Sequence, residues 1–285
     1  MTISKPYSLG YSSCPNDTFI FKAIANQLID LKGFNFDIKL GDVESLNQKA
    51  YQGLYDITKL SIASFGLCMD KYALLKTGSA LGKKCGPLVV SLPKRILTDK
   101  KKPVIAVPGL GTSAYFLFIF YINDLFEGMD IKIVPMTFNK IMPSILTKKV
   151  DFGIIIHEGR FVYQDMGLEL KIDLGEWWEK KTSLPIPLGG IAIKRDIAPK
   201  IMCDIQSIIK QSIEHAHLHP DMAYDYIKDN AQEIKEEVIK KHIELYVNDF
   251  SKDLEEKGEA CISLFLQKAL SAGLIKNSKT QFFAC

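Results

Sequence analysis

The 285-residue chain has no run of about 18 uncharged apolar residues, the length a helix needs to cross a membrane. Its opening stretch, M-T-I-S-K-P-Y-S-L-G, lacks the apolar core of a secretory signal. Both absences predict a cytoplasmic protein. None of the six cysteines (Cys14, Cys68, Cys85, Cys203, Cys261, Cys285) falls in a C-x-x-C pair. That scatter predicts reduced thiols rather than a disulfide framework or a zinc site. A surplus of one charge is also missing: 36 Lys and Arg stand against 33 Asp and Glu, largely interspersed, for a net charge of +3. So balanced a chain offers no long-range field to a nucleic acid. Several motifs are absent as well: a nucleophile elbow, a Ser-His-Asp motif, H-E-x-x-H, G-x-G-x-x-G and a loop ending in Gly-Lys-Ser/Thr. His215, His217 and His219 alternate before Pro220, a spacing read as keeping them off one shared helix face, so no metal site is expected there.

With 47% hydrophobic and 24% charged residues, the composition is that of an ordinary globular protein, and the length suggests about two domains. Short apolar runs alternate with longer periodic segments, the signature of an α/β protein with mainly parallel strands. Strand character is found at 7–11, 34–40, 57–60, 86–92, 104–107, 131–134, 152–156 and 189–193. Helices are expected over 18–28, after Ser113 and over 138–147, and then throughout the C-terminal part at 197–218, 222–229, 234–248 and 253–272. Two strands flanked by prolines, Gly86 to Pro93 and Pro185 to Ile193, look like crossings between domains. They give a discontinuous larger domain of residues 1–93 and 188–285, an inserted smaller one of 94–187, and a hinge with a cleft between them.

Ligands of open parallel sheets bind beyond the carboxyl ends of the strands, and four such loops here carry unusual polar groups. In S-S-C-P-N-D-T-F-I-F (12–21), Asn16 or Asp17 can cap a helix starting near Thr18, which leaves Ser12, Ser13 and Cys14 to line a site. In D-I-T-K-L-S-I-A-S (56–64), Lys59 can reach a carboxylate, although as an isolated lysine it reads equally as surface charge. In P-G-L-G-T-S-A-Y (108–115), glycines allow close backbone approach, and Thr112 and Ser113 stand at a helix N-terminus suited to an anion. In V-D-F-G-I-I-I-H-E-G-R (150–160), His157 follows a buried strand, where a neutral imidazole suits proton abstraction; a hydrogen-bonded structural histidine is the plainer reading. Trp177-Trp178 is read as packing.

These stretches, with G-D-V-E-S-L-N (41–47), A-L-G-K-K-C-G-P-L-V-V (80–90), V-P-G-L-G-T-S-A-Y-F-L (107–117), I-I-I-H-E-G-R-F (154–161) and L-P-I-P-L-G (184–189), resemble the 1,4-dihydroxy-6-naphthoate synthase family of the futalosine route to menaquinone. The likeness covers most of the first 190 residues. Two positions depart from the family: Ser13 stands where proline is frequent, and Ser113 where a second threonine is. The resemblance implies a two-domain, periplasmic-binding-protein-like fold with a central cleft and two hinge-crossing strands. It implies conversion of cyclic dehypoxanthine futalosine to 1,4-dihydroxy-6-naphthoate by a carbon-carbon lyase without metal or organic cofactor. It further implies His157 as proton acceptor and contacts to substrate from Lys59, Leu60, Ser61, Ser113 and Ala114; from the loop reading, Thr112 is expected to bind substrate as well, and Ser12 and Asn16 to form another wall of the cleft. The expected partner is a small-molecule carboxylate substrate, with at most a second copy of the chain in a homodimer, and neither nucleic acid nor membrane. Two other readings stay open: chorismate dehydratase of the same pathway, and a cytoplasmic solute-binding protein.

Overall fold

Apolar runs with period two and segments with period 3.6 sort this chain into strands and helices that build two mixed sheets. The computed structural model describes residues 5–83, 85–157, 159–230, 235–276 and 281–285. The chain runs β1 (Tyr7–Tyr11), α1 (Pro15–Ala25), β2 (Phe36–Leu40), α2 (Val43–Tyr51), β3 (Ile57–Ser61), α3 (Ile62–Cys68), β4 (Tyr72–Leu74) and β5 (Ala80–Gly82). It continues through β6 (Leu88–Ser91), β7 (Val104–Val107), α4 (Ser113–Leu125), β8 (Lys132–Pro135), α5 (Phe138–Leu146), β9 (Phe152–Ile155), α6 (Gly159–Val162), β10 (Glu169–Asp173) and α7 (Leu174–Thr182). It closes with β11 (Ile186–Lys194), α8 (Pro199–Leu218), α9 (Pro220–Asn230), α10 (Glu236–Tyr246), α11 (Asp249–Lys252) and α12 (Glu255–Ser271). The helix start expected at Ile234 lies outside the described residues, as do Lys84 and Glu158 of the matching stretches.

The first sheet has the order β2-β1-β3-β11-β4, with β5 also on β11; the second has β10-β6-β9-β7-β8. Parallel pairing holds for β1 with β2 and β3, and for β7 with β8 and β9. The expectation of mainly parallel strands is corrected by β11, antiparallel to β3, β4 and β5, and by β6, antiparallel to β9 and β10. Each of these two is the first strand the chain forms after passing from one sheet to the other, and each runs against its neighbours. Leu88–Ser91, read above as a crossing strand of the first domain, pairs wholly within the second sheet. The passages between sheets therefore fall between Gly82 and Leu88 on the way out, and between Asp173 and Ile186 on return. Two strands of three residues, β4 and β5, have too little sequence to show a period of two.

One apolar cluster joins the two sheets. Phe265 of α12 meets Phe116 and Phe120 of α4 at ring-centroid distances of 6.2 and 5.2 Å, and Trp178 of α7 at 6.0 Å. Trp178 is fully buried and its Nε1–H donates to Pro185 O at 2.9 Å, which bears out packing as its role. A second cluster lies between α1, α8 and the face of the first sheet, with Leu9, Phe21, Ile193 and Ile209 among its members.

Two readings of the sequence are corrected here. Cys203, in the first turns of α8, and Cys285 form a disulfide with Cα atoms 5.9 Å apart. The C-terminal segment turns back to bond β4 through Leu74 and Phe282, and that return brings the two thiols together. Cys14, Cys68, Cys85 and Cys261 are free. The rings of His215, in the last turn of α8, and His219, the residue that caps its end with its N–H on His215 O, lie 4.6 Å apart, so two of the three histidines do come together.

Candidate functional site

Three helix N-termini and one tight turn open into a single cleft between the sheets. Pro15 at the first helical position starts α1, with Cys14 as a cap residue that makes no side-chain cap bond. The helix thus begins before Thr18, and neither Asn16 nor Asp17 caps it. Both sit in its buried first turn. Asp17 accepts from Ser12 Oγ at 2.6 Å and from Asn16 Nδ2 at 2.7 Å, and faces Lys59 Nζ at 2.8 Å. Lys59 also donates to Gly78 O at 3.0 Å. Its ammonium is therefore held within the protein, not extended alone toward a ligand. A buried pair of this kind is costly to break, because the remaining charge loses its partner.

Ser61 ends β3 and caps α3, accepting from Ser64 N–H; its hydroxyl donates to Gly111 O at 2.6 Å, and Ser64 Oγ donates to the same carbonyl at 2.7 Å. Thr112 caps α4 by accepting from Tyr115 N–H. Ser113 Oγ donates to Leu188 O at 2.8 Å and accepts from Ala63 N–H at 3.3 Å. The Ser113 hydroxyl is thus occupied within the protein. What α4 presents to a ligand is its first amides: Phe116 N–H bonds Thr112 O and Tyr115 N–H is capped, while those of Ser113 and Ala114 have no intrahelical acceptor. This is the anion-favouring end of the helix dipole.

His157 leaves β9 in a left-handed turn, with φ of 53°, a conformation uncommon outside glycine and found disproportionately at functional sites. Its Nδ1 lies 3.6 Å from Cys14 Sγ, and its ring is 5.5 Å from that of Phe138. The base candidate thus touches the first loop, across the gap between sheets.

The cleft is lined by Ser12, Asn16, Lys59, Leu60, Ser61, Thr112, Ser113, Ala114 and His157, whereas Ser13 and Cys14, also expected to line it, are not among its wall residues. It also contains Arg160, His242 and Tyr246, which the sequence reading did not select. Arg160 Nη1 donates to Gly86 O at 2.5 Å, and its Nη2 lies 3.7 Å from Asp173 Oδ2. Its place just after His157 was a usable signal. His242 and Tyr246 sit on α10, remote in sequence from every strand end, and no local pattern distinguishes them from core residues of an amphipathic helix. Burial, and secondarily the charge of His157, push the pKa of His242 from 6.5 down to about 3.

A family model described as menaquinone biosynthesis matches residues 7–271. Two curated relatives named 1,4-dihydroxy-6-naphthoate synthase match over nearly full length. The one from Thermus thermophilus is 38% identical, covering 96% of this chain and 98% of its own; the one from Streptomyces coelicolor is 39% identical, covering 94% of each. Among solved structures, protein AF1704 from Archaeoglobus fulgidus superposes with a TM-score of 0.87 at 31% identity over 95% of this chain and 99% of its own. The alkanesulfonate-binding protein SsuA from Xanthomonas axonopodis superposes with a TM-score of 0.73 at 11% identity, over 97% of this chain and 96% of its own. The last comparison makes the fold that of the periplasmic binding proteins. The sequence matches go further: this chain belongs to the menaquinone biosynthesis family, as an enzyme of that pathway.

Proposed function

We propose that this chain is a carbon-carbon lyase that converts cyclic dehypoxanthine futalosine to 1,4-dihydroxy-6-naphthoate. His157 takes a proton from the bound substrate, the bond to the sugar-derived fragment breaks, and formation of the aromatic naphthoate drives the step. The observation that carries this reading is the position of His157, whose strained turn holds the imidazole against Cys14 at 3.6 Å in a cleft that also receives the free amides of α4. Those amides suit the substrate carboxylate, and a cleft screened from water favours a single base. The two synthase relatives, alike over nearly the full chain, support this activity over chorismate dehydration. A cytoplasmic location belongs to the same reading.

Incubating purified protein with cyclic dehypoxanthine futalosine and detecting the naphthoate by mass tests the proposal. Binding without turnover would make the chain a solute-binding protein instead. The reading needs no cofactor, so activity should survive dialysis against a chelator; loss on dialysis and recovery with a metal would contradict that part.

A further inference from the structure

His242 is 1% exposed, yet it lines the same cleft as His157, and its neighbours decide which ring nitrogen carries the proton. Asp17 Oδ1 accepts from Lys59 Nζ at 2.8 Å in their ion pair, so the Asn16 atom 2.7 Å from the same oxygen is the amide NH2. The other end of that amide, Oδ1, is then an acceptor. His242 Nε2, 3.0 Å from it, must donate. Burial, followed by the charge of His157, keeps the ring neutral by holding its pKa at about 3. A neutral imidazole with its hydrogen on Nε2 has a bare lone pair at Nδ1. Among the described residues that Nδ1 has no hydrogen-bond partner. Buried acceptors are rarely left unpaired, since each forfeits the bonds it made in water. The ring lies nearly parallel to that of His157, with centroids 6.3 Å apart and planes 12° from parallel, and is backed by the Tyr246 ring at 4.7 Å.

We propose that His242 is a substrate-binding residue whose Nδ1 accepts a hydrogen bond from a hydroxyl of the bound substrate, setting that molecule's position against His157. The inference rests on the function proposed above, which brings sugar-derived hydroxyls into the cleft. The fixed tautomer makes the selection chemical: an O–H or N–H is received at Nδ1, and a carboxylate or carbonyl oxygen is refused.

Two substitutions separate this role from a structural one. Gln places a polar atom where Nε2 was and so keeps the bond to Asn16, whereas Asn places its carbonyl where Nδ1 was and keeps an acceptor for the substrate. His242→Gln is expected to raise KM about tenfold with kcat within about threefold of wild type, and His242→Asn to recover most of the loss in KM. The opposite order, with Gln like wild type and Asn impaired, overturns the proposal in favour of a structural anchor for Asn16. Absence of turnover by the wild type overturns the functional reading and this inference with it; turnover with an unchanged KM in His242→Gln overturns the inference alone. If either His242 variant fails to fold, nitrogen-15 imidazole spectra of His157→Asn protein, which keeps His242, supply the answer. Saturating cyclic dehypoxanthine futalosine should move the Nδ1 resonance away from its bare lone-pair position, and an unmoved resonance overturns the proposal.

Discussion

A histidine held at φ 53° between a thiol and an aromatic ring is placed for a purpose other than turn formation, since the same turn is made more cheaply by glycine or asparagine. His157→Asn should keep the fold and the substrate affinity while lowering kcat by about 10²-fold or more. Steady-state naphthoate formation checks this, and wild-type turnover in a folded variant would remove His157 from the role of base. His242 makes a separate prediction about stability. Unfolded, its imidazole takes up a proton near pH 6.5, while folded it stays neutral down to about 3. The unfolded chain therefore binds the extra proton between those values, and stability falls as pH drops from 6.5 toward 3. Burial also lowers His215 and His217, which add in the same direction. The share of His242 is thus the flattening of the denaturant midpoint against pH in His242→Gln; parallel curves for variant and wild type would contradict it. The residue types of the site were legible from the four loops, but their bonds were not. Asn16 and Asp17 looked like caps because caps use those residues, and only the fold shows Lys59 meeting Asp17 from a strand forty residues away in sequence.

At the level of elements, the most readable features were the loop-to-helix junctions, because a strand end followed by Ser, Thr or Pro and an apolar run is a local signal. The start of α4 after Thr112 was read this way. The purpose of one glycine differed from its reading. Gly111 was taken as allowing backbone to approach a ligand, but a Cβ there would lie 2.1 Å from Tyr51 Oη and 2.8 Å from Ser64 Oγ. Its close neighbours are thus the hydroxyls of α2 and α3 that hold the α4 loop. Gly111→Ala should push that loop away, costing about 1–3 kcal/mol of stability and weakening substrate binding as the Ser113 and Ala114 amides move. Urea unfolding and KM measured together check this; an unaltered midpoint and KM would show that the hydroxyls yield freely. The contribution of α10 to the cleft was not legible, since its buried face follows the ordinary helical period and only tertiary packing carries His242 to Asn16.

The α/β class and the break in the chain's order were visible from alternation and proline placement, whereas the joint core of the two sheets was not, because it arises from contacts between distant segments. Phe265 of α12 lies against Phe116, Phe120 and Trp178 from the middle of the chain. With one apolar cluster spanning both sheets, the molecule should unfold in one cooperative step. Trp177 and Trp178 on α7 report the middle portion, and far-ultraviolet circular dichroism reports the many helices outside it. Their unfolding curves in guanidinium should coincide; separate midpoints would mean that the halves are stable on their own. The same packing has a consequence for the chain during its synthesis. Translation proceeds from the N-terminus, so α4 and α7 leave the ribosome long before α12 exists to cover them. Until Phe265 is made, the aromatic face of the middle portion lacks the ring that covers it in the folded chain, and the nascent protein offers that surface to whatever holdase reaches it first.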